Sequence, residues 1–378
     1  MPRAERWRRL RIVLYRGLRR DPFLALFLAP LVIHTLLRPH QVPRYLQMVD
    51  WPTIWALTGL LALTTGLKES NAFHHLARRL LARLHSLRAL AAALVGLSAG
   101  LSMFLTNDIT LFVVVPLTLA VGRASGLGVG RLVVCEAVAV NAGSSLTPMG
   151  NPQNLFLWHH FQIPFAAFLR AMLPLELILL GLLAVLVWMG FPSRPIRLAP
   201  EEEAPGLRLS LLLGSGAGFL AFLAAVEMGE AGWGLPVVLG AYLLLAPRVL
   251  LRVRWSLIVL FAVMFVDLHL LGGWPPLARW LEGVMARGEG GVFLAGLASS
   301  QVLGNLPATM LLARFTPQWP VLAWAVNLAG NGLAPASLAN LIAVQLAGGR
   351  LWGEFHRLAL PYLGVSALAA WLWLVCTA

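Results

Sequence analysis

The chain has 378 residues, of which 59% are hydrophobic and 12% charged, and a formal net charge of +13. A soluble globular domain carries about 25% charged residues, so the composition excludes one and leaves an all-α polytopic membrane protein. The positive charge does not point to nucleic acid, because the arginines cluster between apolar runs, as basic residues do in cytoplasmic loops.

Residues 1–20 hold eight arginines and lead into the first apolar run without a small-residue cleavage site, which predicts a retained cytoplasmic tail. Crossing spans are expected near 22–38, 51–67, 130–157, 168–190, 208–226, 233–250, 255–271, 320–346 and 358–376. Two further segments, 89–121 and 291–316, have polar tips near their middles: Thr106-Asn107-Asp108, and Gly304-Asn305-Leu306-Pro307-Ala308-Thr309. Each is expected to enter the membrane as a re-entrant helical hairpin, since a full crossing would leave the tip in lipid. Before the first hairpin, Phe73, Leu76, Leu80, Leu84 and Leu87 recur at steps of three and four, with His74, Arg78, Arg79 and Arg83 off that face. This predicts an amphipathic helix over 71–88 in the cytoplasmic interface, with 276–287 as its counterpart. Nine crossings from a cytoplasmic N-terminus leave the C-terminus outside and put the basic loops 68–88, 122–131, 191–207, 247–254 and 347–357 inside. The first hairpin then opens inside and the second outside. The expected organisation is two inverted repeats, 1–190 and 208–378, joined by a cytoplasmic linker at 191–207.

Each repeat also contains a broken helix. The first break runs Asn141-Ala-Gly-Ser-Ser-Leu-Thr-Pro-Met-Gly-Asn-Pro-Gln-Asn154 and the second Asn327-Leu-Ala-Gly-Asn-Gly-Leu-Ala-Pro-Ala-Ser-Leu-Ala-Asn340, with the bracketing asparagines 13 apart in both. Unwound backbone survives at membrane depth only where it lines a cavity, and paired breaks in two halves point to a transporter site. The residues expected to bind substrate are therefore Thr106, Asn107, Asn141, Ser144, Ser145, Thr147, Gly150, Asn151, Asn154, Gly304, Asn305, Thr309, Asn327, Asn331, Ser337 and Asn340. Capping explains any one of these side chains, but it does not explain why the cluster occurs twice.

Two charges fall within the tips and broken helices, Asp108 and Glu136, and carboxylates at this depth are functional candidates for proton or sodium coupling. A Na⁺ would lie near Asn107, Asp108 and Asn141. Glu176, Glu227, Asp267 and His269 read as side chains reaching water at membrane edges. No Arg or Lys occurs in 101–121, 132–158 or 296–313, which tilts toward a neutral or weakly charged solute or a cation. Cys135 and Cys376 read as a buried hydrophobe and an unpaired thiol, and nothing resembles a structural metal cluster or a cofactor motif.

The stretches Met103-Phe-Leu-Thr-Asn-Asp-Ile-Thr110 with Val113-Val-Val-Pro-Leu117, and Leu146-Thr-Pro-Met-Gly-Asn-Pro-Gln-Asn-Leu-Phe156, resemble the arsenite/antimonite permease-like, citrate transporter-like branch of the ion transporter superfamily. The resemblance implies a scaffold and an elevator-like transport domain in each protomer of a homodimer, in the plasma (inner) membrane. It matches Thr106, Asn107 and Asp108 to the first tip, Gly150 to Asn154 to the first break, Gly304, Asn305 and Thr309 to the second tip, and Asn331 to Asn340 to the second break. Neither tip carries the Ser-Asn-Thr of divalent anion symporters, and repeat one lacks a counterpart of one span of repeat two.

The expected function is a secondary transporter of arsenite-like oxyanions or another small anion, coupled to H⁺ or Na⁺. The alternatives are a sodium/proton antiporter of the same superfamily and, from another class, a channel. No nucleophile–base pair at depth suggests an enzyme.

Overall fold

The computed structural model describes residues 22–81, 84, 86–196 and 206–377; the N-terminal tail and most of the 191–207 linker lie outside them. The named elements are all helical, and the chain is an all-α polytopic membrane protein. It opens with α1 (Pro22–Leu37), a 3-10 turn (Pro39–Arg44), α2 (Tyr45–Met48), α3 (Trp51–Glu69) and α4 (Ala72–Leu81). The first hairpin is α5 (Leu87–Ser102) and α6 (Asn107–Ser125), the first broken helix is α7 (Gly130–Gly143) and α8 (Pro152–His160), and α9 (Phe165–Gly190) follows. After α10 (Leu209–Glu227) and α11 (Ala231–Leu245), a matching order begins with α12 (Pro247–Leu250), α13 (Trp255–Gly272) and α14 (Pro275–Met285). It continues with the second hairpin, α15 (Glu289–Leu303) and α16 (Asn305–Leu312), the second broken pair, α17 (Trp319–Ala329) and α18 (Leu338–Leu346), and α19 (Trp352–Thr377).

The correspondence extends to single bonds. The indole N–H of Trp51 donates to the Leu46 carbonyl at 2.9 Å, and that of Trp255 to the Leu250 carbonyl at 2.9 Å, so one tryptophan fixes the entry to α3 and another the entry to α13. Helices α9 and α19 both have 26 residues and carry a proline at the same place, Pro174 and Pro361. Packing is crosswise: α1 lies on α13, and α11 on α3. Side-chain caps start several helices, as orphan N–H groups in an apolar medium demand. Asp50 accepts from the Thr53 amide at 3.2 Å and the Thr53 hydroxyl at 3.0 Å, and Ser86 accepts from the Ala89 amide at 3.2 Å.

Four described helices, α9, α10, α13 and α19, are long and apolar enough to cross a membrane. Their neighbours expose large apolar side chains such as Leu36, Leu245 and Val302, which suits contact with lipid tails. The two broken helices occupy the centre: every residue of Leu132–Gly143 and of Val321–Ala329 is buried. Small residues make this possible. A Cβ on Gly143 would overlap the Ala99 carbonyl, so α5 and α7 meet backbone to backbone. The expected amphipathic helix exists as α4 but ends at Leu81; Phe73 packs on the core, whereas Leu76 is half exposed and Arg83 lies outside the described residues.

Candidate substrate and ion site

The two breaks meet at the centre of the molecule and are joined by amides. Asn141, at the end of α7, donates from Nδ2 to Asn340 Oδ1 at 2.7 Å; Asn327, at the end of α17, donates from Nδ2 to Asn154 Oδ1 at 2.7 Å. The second layer repeats the exchange. Ser337 Oγ donates to Asn141 Oδ1 at 2.9 Å, and Asn151 Nδ2 to Asn327 Oδ1 at 2.9 Å. Each closing asparagine also ties up its own break: Asn154 Nδ2 reaches the Ser144, Ser145 and Thr147 carbonyls, and Asn340 Nδ2 those of Gly330 and Leu333. The 13-residue spacing thus places one asparagine at the end of the incoming half-helix and its mate within the outgoing one, so that each can reach the other repeat.

Each hairpin grips the break of its own half. Thr147 donates its hydroxyl to the Met103 carbonyl and accepts from the Gly150 amide at 3.1 Å. In the second half Gln301 does this work, accepting from the Leu333 amide at 2.8 Å and donating to the Ala329 carbonyl at 3.1 Å. Gly150 allows close approach, since a Cβ there would overlap the Ser144 carbonyl and lie 2.8 Å from the Ser102 carbonyl. Gly304 turns the second tip at φ +90°, a conformation glycine alone adopts without strain.

Some expected site residues are therefore spent on structure. Asn151 caps α8, accepting from the Asn154 amide at 2.9 Å; Ser337 caps α18; Ser144 bonds Asn141 and Asn151; Thr309 bonds the Asn305 carbonyl at 2.6 Å. Others hold buried polar atoms without a partner among the described residues: Thr106 Oγ1, Asn107 Oδ1 and both side-chain atoms of Asn331; Thr110 Oγ1, which was not among the expected site residues, is unpartnered beside them. Both sets border Asn141. Asn107 Nδ2 lies 3.5 Å from Asn141 Oδ1, and Asn331 follows Gly330, whose carbonyl accepts from Asn141 at 2.9 Å. Buried polar atoms without partners are costly, and here they mark where a polar ligand would complete the bonding.

The charged residues differ from the sequence expectation in two places. Asp108 forms an ion pair with Arg254 at 2.6 Å, at the start of α13, and so is not isolated. The Arg254 guanidinium lies 5.8 Å from the centre of the Phe112 ring, and Lys68 lies 5.5 Å from the same ring. Folding therefore brings Arg254 to the first tip and Lys68 to Phe112, one turn further along α6, from segments remote in sequence. Glu176 is the second difference: instead of reaching water at an edge it is buried, and its Oε2 accepts from the Ser145 hydroxyl at 2.8 Å. Glu136 is fully buried one to two turns before Asn141, bonded by the Thr118 hydroxyl at one oxygen only. Asp267 is partly buried with Oδ2 unpartnered, while Glu227 accepts from the Phe165 amide at 2.8 Å near the surface.

The sequence pattern described as a citrate transporter matches residues 12–343. The chain belongs to the citrate transporter family. Among curated relatives, the inner membrane protein YbiR of Escherichia coli (strain K12) is 41% identical over 328 residues, which is 86% of this chain and 88% of that protein. An uncharacterized transporter of Methanocaldococcus jannaschii is 31% identical over 332 residues, 85% of this chain and 87% of the other. A silicon efflux transporter, LSI3, of Oryza sativa subsp. japonica is 29% identical over 168 residues, 43% of this chain and 34% of its own. Citrate transporter family membership and these names agree with a membrane transporter that handles a small solute.

Proposed function

We propose that the chain is a secondary active transporter of the elevator type, moving a small oxyanion or its neutral acid with proton coupling. The observation that carries this is the reciprocal exchange of asparagine bonds between the breaks, beside unpartnered polar atoms of Thr106 (Oγ1), Asn107 (Oδ1), Thr110 (Oγ1) and Asn331. Such a frame offers N–H and hydroxyl donors, with half-helix N-termini at α6, α8, α16 and α18 adding positive dipole ends for an oxygen-rich solute. Arg254 at the first tip, with Lys68 one turn further along α6 at Phe112, favours an anion over a cation. The citrate and silicon named for the family and a relative are both carried in oxygen-rich forms.

In this mechanism the two halves are inverted repeats, with the N-terminus inside and the C-terminus outside in the plasma membrane, and two copies form a dimer. Asp108 couples through Arg254: a proton or Na⁺ at the carboxylate releases the guanidinium to the substrate. Glu136, buried with one free oxygen, is a second coupling group. The test uses everted vesicles energised with NADH. ATP-independent accumulation of arsenite over empty vesicles is expected. Collapse of ΔpH on adding Na⁺, without oxyanion uptake, would instead establish the antiporter, and neither signal would end both substrate assignments.

A further inference from the structure

Glu176 lies in the middle of α9, a long apolar crossing helix, and neither ion pair among the described residues includes it. It is 1% exposed, Oε2 accepts from Ser145, and Oε1 has no partner. The ionisable groups on the elements packed against α9 are otherwise engaged or remote. On α5, Arg88 stacks on Trp188; on α7, Arg131 lies over Phe191 and Glu136 is bonded by Thr118, while Cys135 is a buried thiol. On α19, Glu354 lies beside Gly130, His356 bonds the Ala334 amide, and Arg357 is exposed. Helix α17 has no ionisable residue. That leaves Tyr362, whose hydroxyl donates to the Leu179 carbonyl at 2.7 Å, one turn along α9 from Glu176. An ionised carboxylate among these neighbours would be an uncompensated buried charge.

From Ser145 a bonded chain runs into the site. The Ser145 carbonyl accepts from Asn154 Nδ2 at 2.9 Å, and Asn154 Oδ1 accepts from Asn327 of the other break. The corresponding position in the second break is Asn331, whose side chain has no partner among the described residues. The first break is thus tied to a carboxyl where the second is left free for a ligand.

We propose that Glu176 is a proton-binding residue that sets the conformation of the first break through Ser145, making it a coupling site outside the amide frame. Protonated, Glu176 accepts from Ser145 as a neutral acid and the frame stays closed. Loss of the proton from Oε1 to water leaves a carboxylate that pulls on the Ser145 hydroxyl and strains the Ser145–Asn154–Asn327 chain. The proposal rests on the proton-coupled transport described above, and two measurements separate their failures. The first is infrared difference spectroscopy of the purified protein in liposomes across a pH series. Among the carbonyl bands of neutral buried acids, one component is expected to disappear as pH rises, to be missing from Glu176→Gln and to be retained in Glu136→Gln, which loses a separate component of its own. A wild-type spectrum whose pH-dependent component is fully present in Glu176→Gln, or that has no pH-dependent component, overturns the proposal whatever the protein transports. The second is uptake driven by a proton gradient. Glu176→Gln, which keeps the shape and the Ser145 bond, is expected to bind arsenite within about twofold of wild type but to lose the dependence on the gradient, while Glu176→Asp retains part of it. An unchanged gradient dependence in Glu176→Gln overturns the proposal and leaves the transporter assignment intact. Absence of uptake by wild type ends that assignment alone, because the infrared result still decides Glu176.

Discussion

The Asp108–Arg254 pair gives the sharpest energetic prediction because its two ends are unequally buried. The Asp108 side chain is 11% exposed and that of Arg254 38%. At an effective dielectric of ~20 the gross attraction of two unit charges about 4 Å apart is roughly 4 kcal/mol. Desolvation and partial exposure reduce the net coupling to about 1–2 kcal/mol. Arg254→Gln strands a mostly buried carboxylate and is expected to cost about 2–3 kcal/mol. Asp108→Asn leaves a guanidinium that turns to water and costs about 1 kcal/mol. The double variant, with neither charge, falls between them. In a thermal-shift series on the detergent-purified protein, where 1 kcal/mol moves Tm by about 2–4 °C, Arg254→Gln loses several degrees more than Asp108→Asn, and the double variant regains part of the loss. Equal losses for the single variants, or strict additivity in the double, would refute a partly buried, energetically coupled pair.

Three further outcomes divide structural from ligand-binding roles. Asn154→Ala strands the Ser145 carbonyl and the Asn327 amide donor, and takes one of two bonds from the Ser144 and Thr147 carbonyls, so it should cost about 2–3 kcal/mol, whereas Asn331→Ala removes no bond and should leave Tm within about 1 °C while depressing uptake; matching Tm losses would dismiss the distinction. Gly150→Ala drives a Cβ into two backbone carbonyls, so a loss of about 2–3 kcal/mol and poor membrane yield are expected, and normal yield and Tm would mean that the first break is looser than described. Asp108→Asn should insert normally yet lose coupled uptake; wild-type rate and pH dependence in vesicles would remove Asp108 from the mechanism.

Much of the site was legible because polar residues inside apolar runs stand out. The tips, the breaks and the equal asparagine spacing were visible without any structure. What spacing could not reveal was partnership across repeats, since Asn141–Asn340 joins residues 199 apart and no local pattern encodes that contact. Arg254 escaped for a similar reason. It stands in a basic loop where arginine is expected for orientation alone, and only the packing of α13 beside the first tip gives it an acid partner. Glu176 was a different kind of miss. Eleven residues into a helix of 26, it lies about 16 Å from the nearer end of α9, too deep for a glutamate to reach water, whereas the expected span of 168–190 puts it only about 12 Å in. The amphipathic helix before the first hairpin was visible as a pattern, but its described extent, Ala72–Leu81, is shorter than the pattern.

The chemistry of the frame bears on how a loaded and an empty carrier could both move. A fixed charge carried through hydrocarbon costs several kcal/mol and also does work against the membrane potential. An amide frame avoids this, because Asn141 and Asn327 can turn the Nδ2 that each donates to its mate toward an oxyanion without changing charge. The cation that would attract an anion is Arg254, and it is neutralised by Asp108 when no substrate is present. In the proposed mechanism, substrate at Arg254 would leave Asp108 in need of a proton or a Na⁺. Neither Glu136 nor Glu176 has an ion-pair partner among the described residues, so a charge on either would have to be neutralised for a crossing. On the proposed function, the requirement of electroneutrality, rather than a dedicated gate, would link movement of the substrate to the coupling ion.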